Sequence, residues 1–477
     1  MIPDSLSSSP LEPLITREYD TEPALVHERL RSTYGPVAPV DLLGVPVWFV
    51  LGYDEVLHVL QNAGERWSKC VANWRAFAEG RVPADWPPLT LLAADNTGFQ
   101  DGDRHREGRA AWDAALRPYQ DPAHPQAQAM ERAILRYCDE LVDVITEGTS
   151  TGLADLCAQY GRPLPLMVAG HLFGISIDRG DNLVMDLWRL LDGPDSGGAF
   201  QRLYATFLEL TTVKRRRPGE DVPSYLLAAK PDFTDDELAR ELFLLPAFLD
   251  FTGSLICNAV VEMITNPRLR AALSTGAIEE VVNRVAMLKP AIANVTLRYA
   301  RAEAKLGNFT IAAGDPVLLS VAAANADPRM ASALSDDTVR STRAHLSWGA
   351  GPHRCPSRRL ATQITTIAVR RLLERFAALG LALPPDQLPW RPSPFMRALR
   401  ALPVQYEVRP ASGPRDRSHA GSSGISGSTD SSGSTGGEGG RQPSGAPAAG
   451  DRPAARSALW TFLRRLRGGR RDDQPGA

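Results

Sequence analysis

HLSWGAGPHRCPSRRLA, residues 345–361, sets a single cysteine, Cys355, between a glycine-bearing turn and the start of an amphipathic segment. Gly349 and Gly351 let the chain turn tightly and lie close to a flat partner, because glycine has no Cβ to obstruct either. Pro356 follows the cysteine directly and suits the first position of a helix, where its missing N–H costs nothing. A helix over Pro356–Ala378 would aim its positive end at Cys355 and favour thiolate over thiol. A thiolate so placed is a strong axial donor for iron. The plainer reading is a buried, inert cysteine after a turn.

Outward from this loop, apolar residues recur at three- and four-residue steps. They predict helices over Ala133–Thr146, Asp235–Thr265 and Ala361–Ala378. Alternating patterns predict strands at Val47–Leu51, Thr296–Ala300, Phe309–Ala312 and Val404–Val408. The body is therefore expected to be mainly α with small β-sheets. His105 and Arg109 in DGDRHREGRAAW are four residues apart and share a helical face.

The 345–361 segment resembles the haem-binding loop of the cytochrome P-450 superfamily, Phe-Gly-x-Gly-x-His-x-Cys-x-Gly followed by Leu-Ala. Trp348, Gly349, Gly351, His353, Cys355, Leu360 and Ala361 occupy matching positions. Trp348 replaces the usual Phe, and Ser357 stands where the family has Gly. The likeness runs over roughly residues 20–408, through DGDRHREGRAAW, NVTLRYARAEAKLGNFTIAAGDPV and WRPSPFMRALRALPV. It implies a cytochrome P-450 fold with haem b as cofactor and Cys355 as the axial iron ligand. It further implies that His105, Arg109, Arg298 and His353 hold the haem propionates, for which arginine's bidentate geometry is suited. The implied activity is a monooxygenase acting on a small apolar substrate. No GxGxxG opening a helix after a strand is present, so the resemblance implies a ferredoxin and its reductase as electron donors. Arg354, Arg358 and Arg359 would line the face such a donor meets.

Two motifs depart from the family. Where its oxygen-side helix reads Ala-Gly-x-Asp/Glu-Thr, this chain has Ala247, Phe248, Leu249, Asp250 and Phe251, followed by Thr252. Asp250, with Thr252, is expected to manage protons; Ala247, Phe248 and Phe251 are expected to line the substrate pocket. Either the lost hydroxyl removes an acid–base element of oxygen activation, or the two phenylalanines shape a narrow apolar pocket. The family's Glu-x-x-Arg becomes Glu280 and Asn283, with Arg284 turned about 100° away. Arg340 or Arg343 is expected to pair with Glu280. These departures leave a second function open: a catalytically impaired haem-binding sensor or accessory protein in a signalling or biosynthetic complex.

The formal net charge of −2 gives no reason to expect nucleic acid as a partner. Five scattered cysteines without a CxxC pair argue against a disulfide framework or zinc cage. The N-terminus lacks a basic start and apolar stretch, and no window reaches a membrane span, so a cytoplasmic protein is expected. Residues 1–18 are expected to be loose, 19–408 to form the haem domain, and 409–454 to be a disordered Gly/Ser/Pro/Ala-rich linker. In 455–471, Leu459, Trp460, Phe462, Leu463 and Leu466 cluster on one helical face among arginines. That segment is expected to meet an anionic membrane surface or a protein partner, and 472–477 to be a tail.

Overall fold

The computed structural model describes residues 6, 11–175, 186, 189, 195–274, 277–331 and 343–410. Strands β1 (Glu12–Pro13), β2 (Val37–Leu42), β3 (Val45–Val50), β4 (Trp67–Ser68), β5 (Thr151–Asp155), β6 (Asn294–Ala300), β7 (Ala304–Leu306), β8 (Phe309–Ile311), β9 (Pro316–Ser320), β10 (Phe376–Leu381) and β11 (Pro403–Val408) form three small sheets. The largest has the order β1-β2-β3-β9-β6-β4; the others are β10-β11-β5 and the β7–β8 hairpin. The helices that position the site are α1 (Pro23–Tyr34), α2 (Tyr53–Gln61), α3 (Gly102–Gln120), α4 (Pro125–Thr146), α5 (Pro163–Phe173), α6 (Ser196–Arg216), α7 (Leu244–Thr265), α8 (Ile278–Leu288) and α9 (Arg358–Arg375). The expected mainly α body with small sheets is what the chain forms.

The helical part encloses one large apolar core, in which Leu141 of α4, Leu164 of α5, Val260 of α7, Val285 of α8 and Ile364 of α9 are all buried. α7 runs through its middle. A Cβ on Gly253 would come within 2.6 Å of the Gly161 carbonyl; only glycine allows the chain before α5 to lie so close. Beside this crossing, the buried thiols of Cys157 and Cys257 stand 3.3 Å apart, and all five cysteines are free.

Four expected boundaries shift. The helix expected over Asp235–Thr265 is two, Asp235–Glu241 and α7. Pro246 lies in the first turn of α7, where a proline has no N–H to continue the hydrogen bonding of the preceding helix. The helix after Cys355 starts at Arg358 with Ser357 as its cap, so Pro356 precedes it. It ends at Arg375, where Phe376 begins β10. Residues 11–18, expected to be loose, are packed: Glu12 and Pro13 pair with Val40 and Asp41, and Leu14 is buried. Arg409, assigned to the linker, donates its N–H to Arg375 O at 2.8 Å and belongs to the folded body. Residues 411–477, with the rest of the linker, the 455–471 segment and the tail, lie outside the described residues.

Candidate active site

Cys355 sits half-buried at the entrance to α9, its N–H bonded to Trp348 O at 2.8 Å. Gly349 and Gly351 adopt φ of 69° and 66°, the left-handed region glycine tolerates. A Cβ on Gly351 would stand 2.3 Å from Leu60 O, at the end of α2. Its close approach is thus to protein backbone. The Cys355 thiol is pushed up by burial, against the opposing Ser357 hydroxyl and N–H and the charges of Arg109 and Arg358. Burial thus outweighs the groups that favour the thiolate, and a bound metal cation would supply the remaining bias.

His105 and Arg109 share the face of α3 that meets this loop. His105 places Nδ1 3.0 Å from Thr97 O and Nε2 3.2 Å from Pro352 O. A neutral imidazole can donate to one of these oxygens, an imidazolium to both. Arg109 donates to Pro352 O and Arg354 O, at 3.2 and 2.5 Å, and to Asp113. Both side chains therefore clamp the backbone of the cysteine loop, a role the spacing alone did not indicate.

Arg298 and His353 lie beside this clamp. Arg298 is 1% exposed; its Nη1 reaches Thr296 O and Leu297 O, and its buried Nε has no partner among the described residues. Burial lowers it to about 10. The His353 ring lies 3.8 Å from that of His105 and its Nε2 3.8 Å from Asp101 Oδ1; burial lowers it to about 3. Against the upward push of burial, His353, the Ser68 hydroxyl and the Lys69 N–H hold the Asp101 carboxyl well below its ordinary range. Lys69 is half-buried beside them. Sequence reasoning missed both: Asp101 lies four residues before His105 and was recoverable from that spacing, whereas Lys69 reaches the site through β4 pairing with β6.

On α7, Asp250 forms a bidentate pair with Arg391, Nη1 and Nη2 each 2.9 Å from Oδ2. Burial pushes the carboxyl up, to about 6, and Arg391 down, to about 10. Arg162 opposes the shift at Asp250 and adds to that at Arg391, while the bidentate contact itself favours the ionised pair. The carboxylate expected to manage protons is thus engaged by a guanidinium from the C-terminal segment. Thr252 is buried. Phe251 is half-buried and packs against the cluster containing Phe395 and Met396, consistent with its expected place on an apolar pocket. The side chains of Ala247 and Phe248 lie outside the described residues.

Glu280 pairs with Arg343; Arg340 lies outside the described residues. Asn283 Oδ1 stands 3.3 Å from His345 Nε2, and His345 Nδ1 3.0 Å from Ser347 Oγ. Asn325 donates to Ser347 Oγ at 2.8 Å and to Met287 O at 2.9 Å. A chain of neutral groups thus joins α8 to the cysteine loop where an arginine was expected to.

Compared with known proteins, the chain is 30% identical over 407 residues to a 6-deoxyerythronolide B hydroxylase of Saccharopolyspora erythraea, covering 80% of this chain and 95% of that one. The chain belongs to the cytochrome P450 superfamily. Among its P450 relatives is the cytochrome P450 monooxygenase PikC of Streptomyces venezuelae, 29% identical, with 84% of this chain and 94% of that one covered. The structure of CYP154A1 from Streptomyces coelicolor A3(2) superposes with a TM-score of 0.70 at 32% identity, over 83% of this chain and 98% of that one. No protein-family model matches the chain. As a P450 the protein is a haem-thiolate monooxygenase with haem b as cofactor. The site fits that group. A cysteine stands at a helix entrance, and the orphaned Arg298 Nε and neighbouring cations offer more donors than the one carboxylate, Asp101, takes up.

Proposed function

We propose that this P450 inserts one oxygen atom from O2 into a small apolar organic molecule, with electrons from a ferredoxin and its reductase. The observation that carries the reading is Cys355 at the mouth of α9, with its loop clamped by His105 and Arg109. Haem b, when bound, supplies the one-electron and dioxygen chemistry. Cys355 would hold its iron, and Arg298 and His353 its propionates. Phe251, Phe395 and Met396 would exclude water and favour an apolar substrate. Asp250 would take part in proton delivery once Arg391 releases it, and Thr252 is its hydroxyl-bearing neighbour.

Beside Cys355, a hollow of about 810 Å³ is lined in part by Arg109, Arg343, Arg354, Arg358, Arg359 and Arg370 against Asp113, Glu131 and Glu279. The surplus of arginine supports an acidic electron-transfer protein as partner. Among the described residues no helix is long and apolar enough to cross a membrane. We further propose a cytoplasmic protein that meets the membrane surface or a protein partner through residues 456–471.

The test is twofold. The reduced protein under carbon monoxide should show a strongly red-shifted Soret band, and NADPH should be consumed in an oxygen-dependent manner with a surrogate ferredoxin and reductase. A globin-like band rejects thiolate ligation. A red-shifted band without NADPH consumption in the presence of apolar substrates rejects the ferredoxin-driven oxygenase.

A further inference from the structure

Lys69 follows β4 immediately, and β4 pairs antiparallel with β6 through Trp67–Ala300 and Ser68–Tyr299. This brings the lysine against the start of β6. Its Nζ donates to Thr296 Oγ1 at 2.8 Å and lies 4.7 Å from the centroid of the Phe99 ring. An ammonium carries three donors, and among the described residues the hydroxyl of Thr296 is the one acceptor recorded for it. Lys69 is half-buried, and Arg298 is close enough to oppose its charge.

Thr296 holds both cations. Its hydroxyl takes Lys69, and its carbonyl takes Arg298 Nη1 at 2.8 Å. The register of β6 shifts between Val295 and Arg298, and the ammonium and guanidinium lie close enough there to repel each other. The nearby carboxylate, Asp101, is already engaged by the Ser68 hydroxyl, the N–H groups of Lys69 and Cys70, and His353. A buried guanidinium and a half-buried ammonium therefore face one occupied anion. Charge withdrawn from water is costly unless paired, and a ligand anion would pair both.

We propose that Lys69 is a haem-propionate ligand of this P450, donating to the same carboxylate edge as Arg298 and tuning the reduction potential of the iron. The Thr296 hydroxyl and the Phe99 ring aim the ammonium. The inference rests on the placement of the propionates at Arg298 and His353. It adds a cation from the chain after β4, outside the helix and loop motifs that carry the other contacts. A positive charge fixed beside the haem favours the added electron of the ferrous state.

The test uses the ferric holoprotein. Haem release is followed by transfer to excess apomyoglobin, and the midpoint potential by spectroelectrochemical titration. Lys69→Gln should release haem roughly tenfold faster, the worth of one charge-assisted hydrogen bond, and shift the potential to more negative values. Lys69→Arg should restore both toward wild type. Lys69→Met, which leaves no buried polar head, should behave as Lys69→Gln and serves if the latter folds poorly. Release within twofold of wild type and an unchanged potential in both neutral variants overturns the proposal, as does Lys69→Arg behaving like Lys69→Gln. Arg298→Gln is run in parallel. If it accelerates release while Lys69→Gln does not, the inference about Lys69 alone fails. If neither accelerates release, the propionate placement fails with it.

Discussion

At Cys355 a single sulfur decides the chemistry. Cys355→Ser should abolish the red-shifted Soret band of the reduced carbon monoxide complex while far-ultraviolet circular dichroism stays unchanged; persistence of the band would assign ligation elsewhere. Asp250 raises a different question, because a guanidinium holds it in the resting protein. Removing one partner of a buried pair strands the other, so Asp250→Asn should cost about 3 kcal/mol in thermal unfolding. The double change Asp250→Asn with Arg391→Gln should recover most of that loss. If the single variant is as stable as wild type, the pair does not hold the C-terminal segment to α7.

The link between α8 and the cysteine loop was partly legible. The sequence shows that Asn283 replaces an expected arginine, and that Glu280 needs another partner. It does not show that His345, Ser347 and Asn325 complete a neutral chain, because those contacts join residues 62 and 21 positions apart along the chain. The same reason hides Lys69 from Thr296, separated by 227 positions, and Asp250 from Arg391, separated by 141. Local turn chemistry at Gly349–Cys355 and the His105–Arg109 spacing were readable because both lie within one or two helical turns. With Glu280 already paired to Arg343, Asn283→Arg brings a surplus cation beside Arg343 and His345. It should lower thermal stability by roughly 1–3 kcal/mol; a gain would mean that Glu280 lacks its partner in solution. Burial lowers His345 to about 4 from 6.5. The unfolded chain therefore binds a proton that the folded one does not across that interval, and stability falls as pH drops from about 6.5 toward 4. His345→Gln should flatten this segment of the stability profile; an unaltered slope in urea titrations would assign the effect to other groups.

For the whole molecule, periodicity predicted a helical body with small sheets, and the described residues have that architecture. What periodicity could not give was continuity: Pro246 divides one expected helix, and Phe376 turns another into a strand. The sequence beyond the P450 body carries its own expectation. Deleting residues 456–471 should abolish pelleting with anionic liposomes and leave the haem spectrum intact; equal pelleting of both forms would remove the membrane-surface reading.

The position of Gly351 over the Leu60 carbonyl bears on where the thiol is held. With no room even for a methyl group between them, the cysteine loop is seated by α2, a helix nearly three hundred residues upstream. The sulfur thus takes its position from the end of α2 as well as from its own loop. Any side chain at position 351 would lift the loop off this seat and carry the sulfur with it.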